Sequence, residues 1–140
     1  HDALPILSFG NANGVPCIDF ADGNTDDLSY TIPFPSQVNP TNYSVKVYYT
    51  STTNTGDFDC SNFGKGMNVG NPVVFGPGGG GLVVPAPATA MDLMMGTTDL
   101  GNAGGQVGIV HFVLRRRGAS ANDTSTGVMK VLGIVIEWTE

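Results

Sequence analysis

Gln106-Val-Gly-Ile-Val-His-Phe-Val-Leu-Arg-Arg116 and Gly127-Val-Met-Lys-Val-Leu-Gly-Ile-Val-Ile-Glu-Trp138 are two apolar runs, joined by the polar stretch Arg117-Gly-Ala-Ser-Ala-Asn-Asp-Thr-Ser-Thr126. Two strand-like runs around a polar connection predict a β-hairpin that closes a sheet. In the first run Val107, Ile109, His111 and Val113 alternate with Gly108, Val110, Phe112 and Leu114. Neither set is polar throughout, so both faces of the strand are expected to be covered. Such burial needs a second sheet or a neighbouring subunit.

Working outward, the same period of two recurs upstream. Tyr43, Val45, Val47 and Tyr49 alternate with Ser44, Lys46, Tyr48 and Thr50, the most regular strand pattern in the chain. Residues 15–20 predict a short strand, and the Asp, Asn and Gly of 21–27 a turn. Leu28, Tyr30, Ile32 and Phe34 alternate with Ser29, Thr31, Pro33 and Pro35, a half-buried strand whose prolines suit an edge. Residues 57–67 read as a weaker strand. Short apolar runs at 72–75 and 82–84 flank Gly76-Pro-Gly-Gly-Gly-Gly81, expected as a surface loop. Residues 89–95 read as a strand with Met91, Leu93 and Met95 filling the core from one side, ahead of a turn over 96–105. No window repeats at helical spacing. About eight strands with short polar connections predict an all-β, antiparallel two-sheet β-sandwich, with the jelly roll as the leading version. An immunoglobulin-like sandwich is second, because the chain lacks the Cys-Trp-Cys spacing.

At 140 residues the chain fits one domain, placed at 15–140 with an N-terminal segment at 7–14. His1-Asp-Ala-Leu-Pro-Ile6 is what the end of a common sequencing adapter encodes, so 1–6 is set aside as an expected artefact on a metagenomic reading frame.

Hydrophobic residues make up 41% and charged residues only 13%, about half the usual share. A surface polar through Asn, Thr, Ser and Gly suits an extracellular or virion protein that packs against copies of itself. Net charge is −6 with six Lys and Arg, so neither nucleic acid nor a membrane surface is an expected partner. Arg115, Arg116 and Arg117 alternate between strand faces, which predicts a solvated strand end or inter-subunit ion pairs. No apolar run approaches the ~20 residues of a membrane span. Cys17 and Cys60 are compatible with one disulfide or with two buried free thiols.

The chemistry-bearing motifs are sparse. Asp22-Gly-Asn24-Thr-Asp26 opens like a calcium loop, but Asp27 stands where the loop needs Gly and Pro33 where it needs a bidentate Glu. A hydrated turn is the expectation, with calcium at Asp22, Asn24 and Asp26 as the alternative and otherwise no cofactor. His111 lies in an apolar strand, the setting of a core or interface histidine more than of a general base. Asp57 and Asp59 share a strand face and Asp26 and Asp27 a turn, without a geometry that sequence can tie to catalysis. No Gly-x-Ser-x-Gly elbow accompanies the serines. No catalytic residue is assigned and no enzyme is expected. Asn42-Tyr-Ser44 and Asn122-Asp-Thr124 match the glycosylation pattern. Tyr48 points away from the core by alternation, so Tyr48, His111, Arg115 and Trp138 are the candidate ligand or interface residues.

Cys17-Ile-Asp-Phe20, Asp26-Asp-Leu-Ser-Tyr-Thr-Ile-Pro-Phe34 and Tyr43-Ser-Val-Lys-Val-Tyr-Tyr-Thr-Ser51 resemble a group of jelly-roll phage structural proteins. So do Arg115-Arg-Arg-Gly-Ala-Ser-Ala-Asn-Asp-Thr-Ser-Thr-Gly127 and Val131-Leu-Gly-Ile-Val-Ile-Glu-Trp138. The glycine run 76–81 and the Met-rich run 91–95 depart from that group. The resemblance implies a non-enzymatic bacteriophage virion protein at the virion surface, a capsid decoration or tail-appendage subunit, often a homotrimer attached to other virion proteins. Two alternatives from other classes are a carbohydrate-binding module or receptor-binding domain that takes surface glycans, and a secreted prokaryotic filament subunit.

Overall fold

Period-two alternation of apolar side chains runs through most of the chain, and it folds as strands that each bury one face against an opposing sheet. The computed structural model describes residues 8–33, 42–70, 72–73, 79–101 and 108–139. Its strands are β1 (Ser8–Ala12), β2 (Val15–Phe20), β3 (Thr25–Pro33), β4 (Asn42–Ser51), β5 (Asp57–Asn68), β6 (Gly79–Pro85), β7 (Met94–Gly101), β8 (Gly108–Arg117) and β9 (Met129–Thr139). They form two antiparallel sheets, one in the order β1-β2-β9-β4-β7 and the other β3-β8-β5-β6. Within them β2 pairs with β9, β3 with β8, β4 with β7 and β5 with β6. These nested pairs are a long antiparallel ribbon rolled once about itself, which is the jelly roll. The sandwich expected from sequence is therefore present, with β1 as an additional edge strand. That strand comes from the N-terminal segment set apart from the predicted domain.

The predicted closing hairpin is not formed. β8 lies between β3 and β5, β9 lies between β2 and β4, and the two belong to opposite sheets. Each is a central strand paired along both edges, with one face on the core and an outer face only partly covered: Val113 is buried, but Val135 is 41% exposed. The physical reason for the crossing is Arg116. It shares its parity with Val110, Phe112 and Leu114, all buried, so its side chain enters the sandwich and is fully buried. There its Nε and Nη2 donate to the two carboxylate oxygens of Asp123 at 2.9 and 2.7 Å. Nη1 donates to the carbonyls of Phe20 and Gly127, and Nη2 to that of Ser125, at 2.7 to 2.9 Å. The guanidinium also stacks 4.8 Å above the Phe58 ring. One side chain of β8 thus binds the connection to β9, the end of β2, and β5. The connection crosses the end of the sandwich instead of turning back within one sheet.

The core joins Phe20, Val45, Val47, Tyr49, Phe58, Leu82, Val84, Leu114, Met129 and Val131 from both sheets. On β9 the alternation slips by one residue. Tyr48 pairs with Gly133 and Tyr49 with Val131, so Leu132 is the extra residue of a β-bulge. The bulge lets Met129 and Val131 and then Ile134 and Ile136 all face inward.

Two further expectations are corrected. Residues 89–93 are not strand: Met91 N donates to Ser51 O, Thr50 Oγ1 donates to Asp92 O, and β7 starts at Met94 and continues through Gly101. The segment is tied down over the outer face, so Leu93 and Met95 stand 65% and 51% exposed while Met94 packs on the core. Gly79, Gly80 and Gly81 belong to β6, paired with Phe63, Asn62 and Ser61, not to a loop.

Asp123→Ala leaves the Arg116 guanidinium buried without its counter-ion, and we expect it to cost about 3–5 kcal/mol of folding stability. Urea unfolding of the two proteins measures this; a difference below about 1 kcal/mol would contradict a structural role for the pair.

Candidate functional site

The five-stranded sheet turns one face outward, and a concavity lies on it. Ala12, Asn13 and Val15 from the β1–β2 hairpin form one wall and Met91 and Leu93 the other. Tyr48, Thr50, Leu132 and Gly133 form the floor, and the groove encloses about 460 Å³. Each wall follows from local chemistry. The hairpin turns on Asn13 and Gly14, both at positive φ (52° and 91°), the residues a two-residue type I′ turn requires. Asn11 Oδ1 accepts from Gly14 N at 2.6 Å and braces that turn. The opposite wall depends on Met91, held at φ 73° by its bond to Ser51. Half-buried Tyr48 lies across from Gly133 on β9 and from Met95 on β7, and the space beside Gly133 is open.

Exposed apolar side chains extend beyond the groove on this face: Val15 is 52%, Leu93 65%, Met95 51% and Val135 41% exposed. Charges here are paired. Lys46 Nζ donates to Glu137 Oε1 at 2.8 Å, which raises the Lys46 pKa, and Lys130 Nζ lies 3.0 Å from Asp19 Oδ1.

A second concavity of about 380 Å³ opens between the sheets, lined by Ile18, Leu28, Tyr30, Leu132, Ile134 and Ile136. Tyr30 stacks on Phe112, and burial pushes its phenol pKa well above the usual tyrosine range.

The four sequence candidates are not brought together. Tyr48 lines the outer groove, as its alternation predicts. His111 and Arg115 lie on the outer face of the other sheet, His111 half-buried with Nδ1 3.1 Å from Thr31 Oγ1. Trp138 pairs with Tyr43 across β4 and β9, but its side chain lies outside the described residues. Within the arginine triplet Arg116 is fully buried, Arg115 half-buried and Arg117 exposed, and each is paired inside the chain. Arg115 binds Asp27 directly across the strand pair, with Nη2 2.7 Å from Oδ2, and lies over the Phe63 ring. Arg117 Nη2 donates to the buried Asp59 at 2.6 Å. Arg115 and Arg117 each meet an aspartate of a neighbouring strand, whereas Arg116 meets Asp123 of the β8–β9 connection. The groove walls at Val15 and Leu93 were not singled out from sequence, because only the folded sheet places them beside Tyr48.

The calcium-like stretch is engaged otherwise. Asp26 is buried and accepts from Ala21 N at 2.8 Å, and Asp22 lies 3.6 Å from Arg116. Among the described residues no group of three acidic, His or Cys side chains gathers. Cys17 and Cys60 are both buried and free. Cys17 faces outward from β2 and donates to Asp19 Oδ1, whereas Cys60 faces the core from β5 against Met129. Opposite sheets keep them from bridging.

No family model matches the chain, and no curated protein matches it. One solved structure shares its fold. The insecticidal delta-endotoxin Cry8Ea1 from Bacillus thuringiensis superposes with a TM-score of 0.55 at 14% identity, over 97% of this chain and 22% of the toxin. The chain therefore spans about a fifth of that protein, and the likeness concerns architecture alone. Among the described residues no helix is long and apolar enough to cross a membrane.

Burial pushes the Cys60 thiol up to about 12 and raises that of Cys17 as well. The unfolded chain then loses these protons first, from about pH 8.5, so the thiols' contribution to stability is complete below that pH and is lost as pH rises towards the folded values. We expect the urea midpoint to fall between about pH 8 and 10, and Cys17→Ser/Cys60→Ala to flatten that fall. An unchanged slope in the double variant would show that other groups carry it.

Proposed function

We propose that this chain is a non-enzymatic structural subunit of a bacteriophage virion, a capsid decoration or tail-appendage protein that works by self-association and attachment to the particle. The observation that carries this reading is the apolar outer face of the five-stranded sheet, with Val15, Leu93, Met95 and Val135 exposed around Tyr48. Apolar surface of that kind on a soluble β-sandwich marks a contact with another molecule. The jelly roll agrees with the resemblance at residues 15–138, which points to a homotrimer at the virion surface. Light scattering at micromolar concentration tests self-association: a mass above one chain is expected, and a monomer would refute it.

A second reading is supported by the groove itself. A half-buried tyrosine beside the open space at Gly133, with Asn13 on the rim, is chemistry suited to stacking and hydrogen bonding a sugar ring. If a surface glycan is the ligand, glycan-array binding is expected and Tyr48→Ala abolishes it. Particle attachment without glycan binding would leave the structural role alone.

A further inference from the structure

We infer that the free edge of β1 is a self-pairing site, through which two copies of this chain join their five-stranded sheets across a twofold axis. This rests on the self-association proposed above and adds to the apolar face that carries it a separate, twofold contact at a sheet edge. A sheet edge offers unpaired N–H and C=O groups, and natural proteins protect such edges with charge, proline, bulges or a covering element. The two sheets have four edge strands, β1, β7, β3 and β6. β3 carries Asp26, Asp27 and Pro33, and β6 and β7 pack against each other at the closed side of the sandwich. Among the described residues β1 shows none of these devices. Its sequence, Ser-Phe-Gly-Asn-Ala, contains neither charge nor proline, and no described strand flanks its outer edge. It is also the fifth strand of a sheet that faces only four, so it overhangs the sandwich.

The hairpin register identifies the groups on offer. Ala12 and Val15 close the two-residue turn as a hydrogen-bonded pair, so Ala12, Gly10 and Ser8 direct their backbone groups to β2. Phe9 and Asn11 direct theirs outward. Two antiparallel β1 strands centred on Gly10 therefore bring Phe9 of each copy opposite Asn11 of the other, where both N–H···O=C bonds can be exchanged. At the centre, Gly10 meets Gly10 of the second copy with no side chain between them. Nor is Gly10 free to be another residue, because a Cβ there would strike the Asp19 carboxylate that Lys130 holds.

The test compares three proteins by light scattering and by amide hydrogen exchange of residues 8–12. Asn11→Pro removes an outward N–H at an edge position where proline is otherwise tolerated. Asn11→Asp keeps an acceptor for Gly14 N and sets like charges near the twofold, which guards against misfolding of the proline variant. The wild type is expected to pair at high micromolar concentration, with Phe9 and Asn11 amides exchanging more slowly as concentration rises. Both variants are expected to halve the mass without loss of the folded transition. A monomeric wild type would overturn this contact together with self-association. An assembly unchanged in both variants, with β1 exchange independent of concentration, would overturn the β1 contact and leave self-association standing.

Discussion

The guanidinium of Arg116 sets how this chain closes. Its five N–H groups all find acceptors: two on Asp123 and three on the carbonyls of Phe20, Ser125 and Gly127. Phe20 ends β2 and Gly127 precedes β9, both in the five-stranded sheet, whereas Arg116 itself belongs to the four-stranded one. Burying a charge is costly, and a single counter-ion does not necessarily offset that cost. Here the carboxylate is matched in a bidentate pair and every remaining donor is satisfied, the condition under which a buried charge can be held. Asp123 Oδ2 also accepts from the backbone of Asp59, so the same pair fastens β5. Asp123, Ser125 and Gly127 of the β8–β9 connection thus all meet this one buried charge.

With that end fastened, the two sheets differ in what they present. The four-stranded sheet covers its outer face with Arg115 on Asp27 and Phe63, and Arg117 on Asp59. Its side chains are largely occupied with one another. The five-stranded sheet instead leaves Tyr48, Val15, Leu93 and Met95 around a groove and carries an overhanging, uncharged edge strand. Exposed apolar side chains thus flank the Tyr48 groove on the outer face of the five-stranded sheet.

The fold class was legible because period-two alternation is local. Val45, Val47 and Tyr49 face the core and Tyr48 faces outward, as their spacing requires. The inward placement of Arg116 could also have been read from its parity with Val110, Phe112 and Leu114. Its partner could not, since Asp123 lies in a connection with no periodicity. The 89–93 segment misled for the opposite reason. Met91, Leu93 and Met95 alternate like a strand, but hydrogen bonds to Ser51 and from Thr50 hold the chain out of the sheet ahead of Met94.

By itself the sequence determined that this is an all-β sandwich and which residues face inward along most strands. These follow from side-chain alternation and backbone preference, properties of a few neighbouring residues. Only the tertiary structure decided that β8 and β9 part into different sheets, that the three arginines meet Asp27, Asp123 and Asp59, and that Tyr48 acquires walls from Val15 and Leu93. Those outcomes depend on register and on a buried charge seeking acceptors from segments distant in sequence, and local pattern carries no information about either.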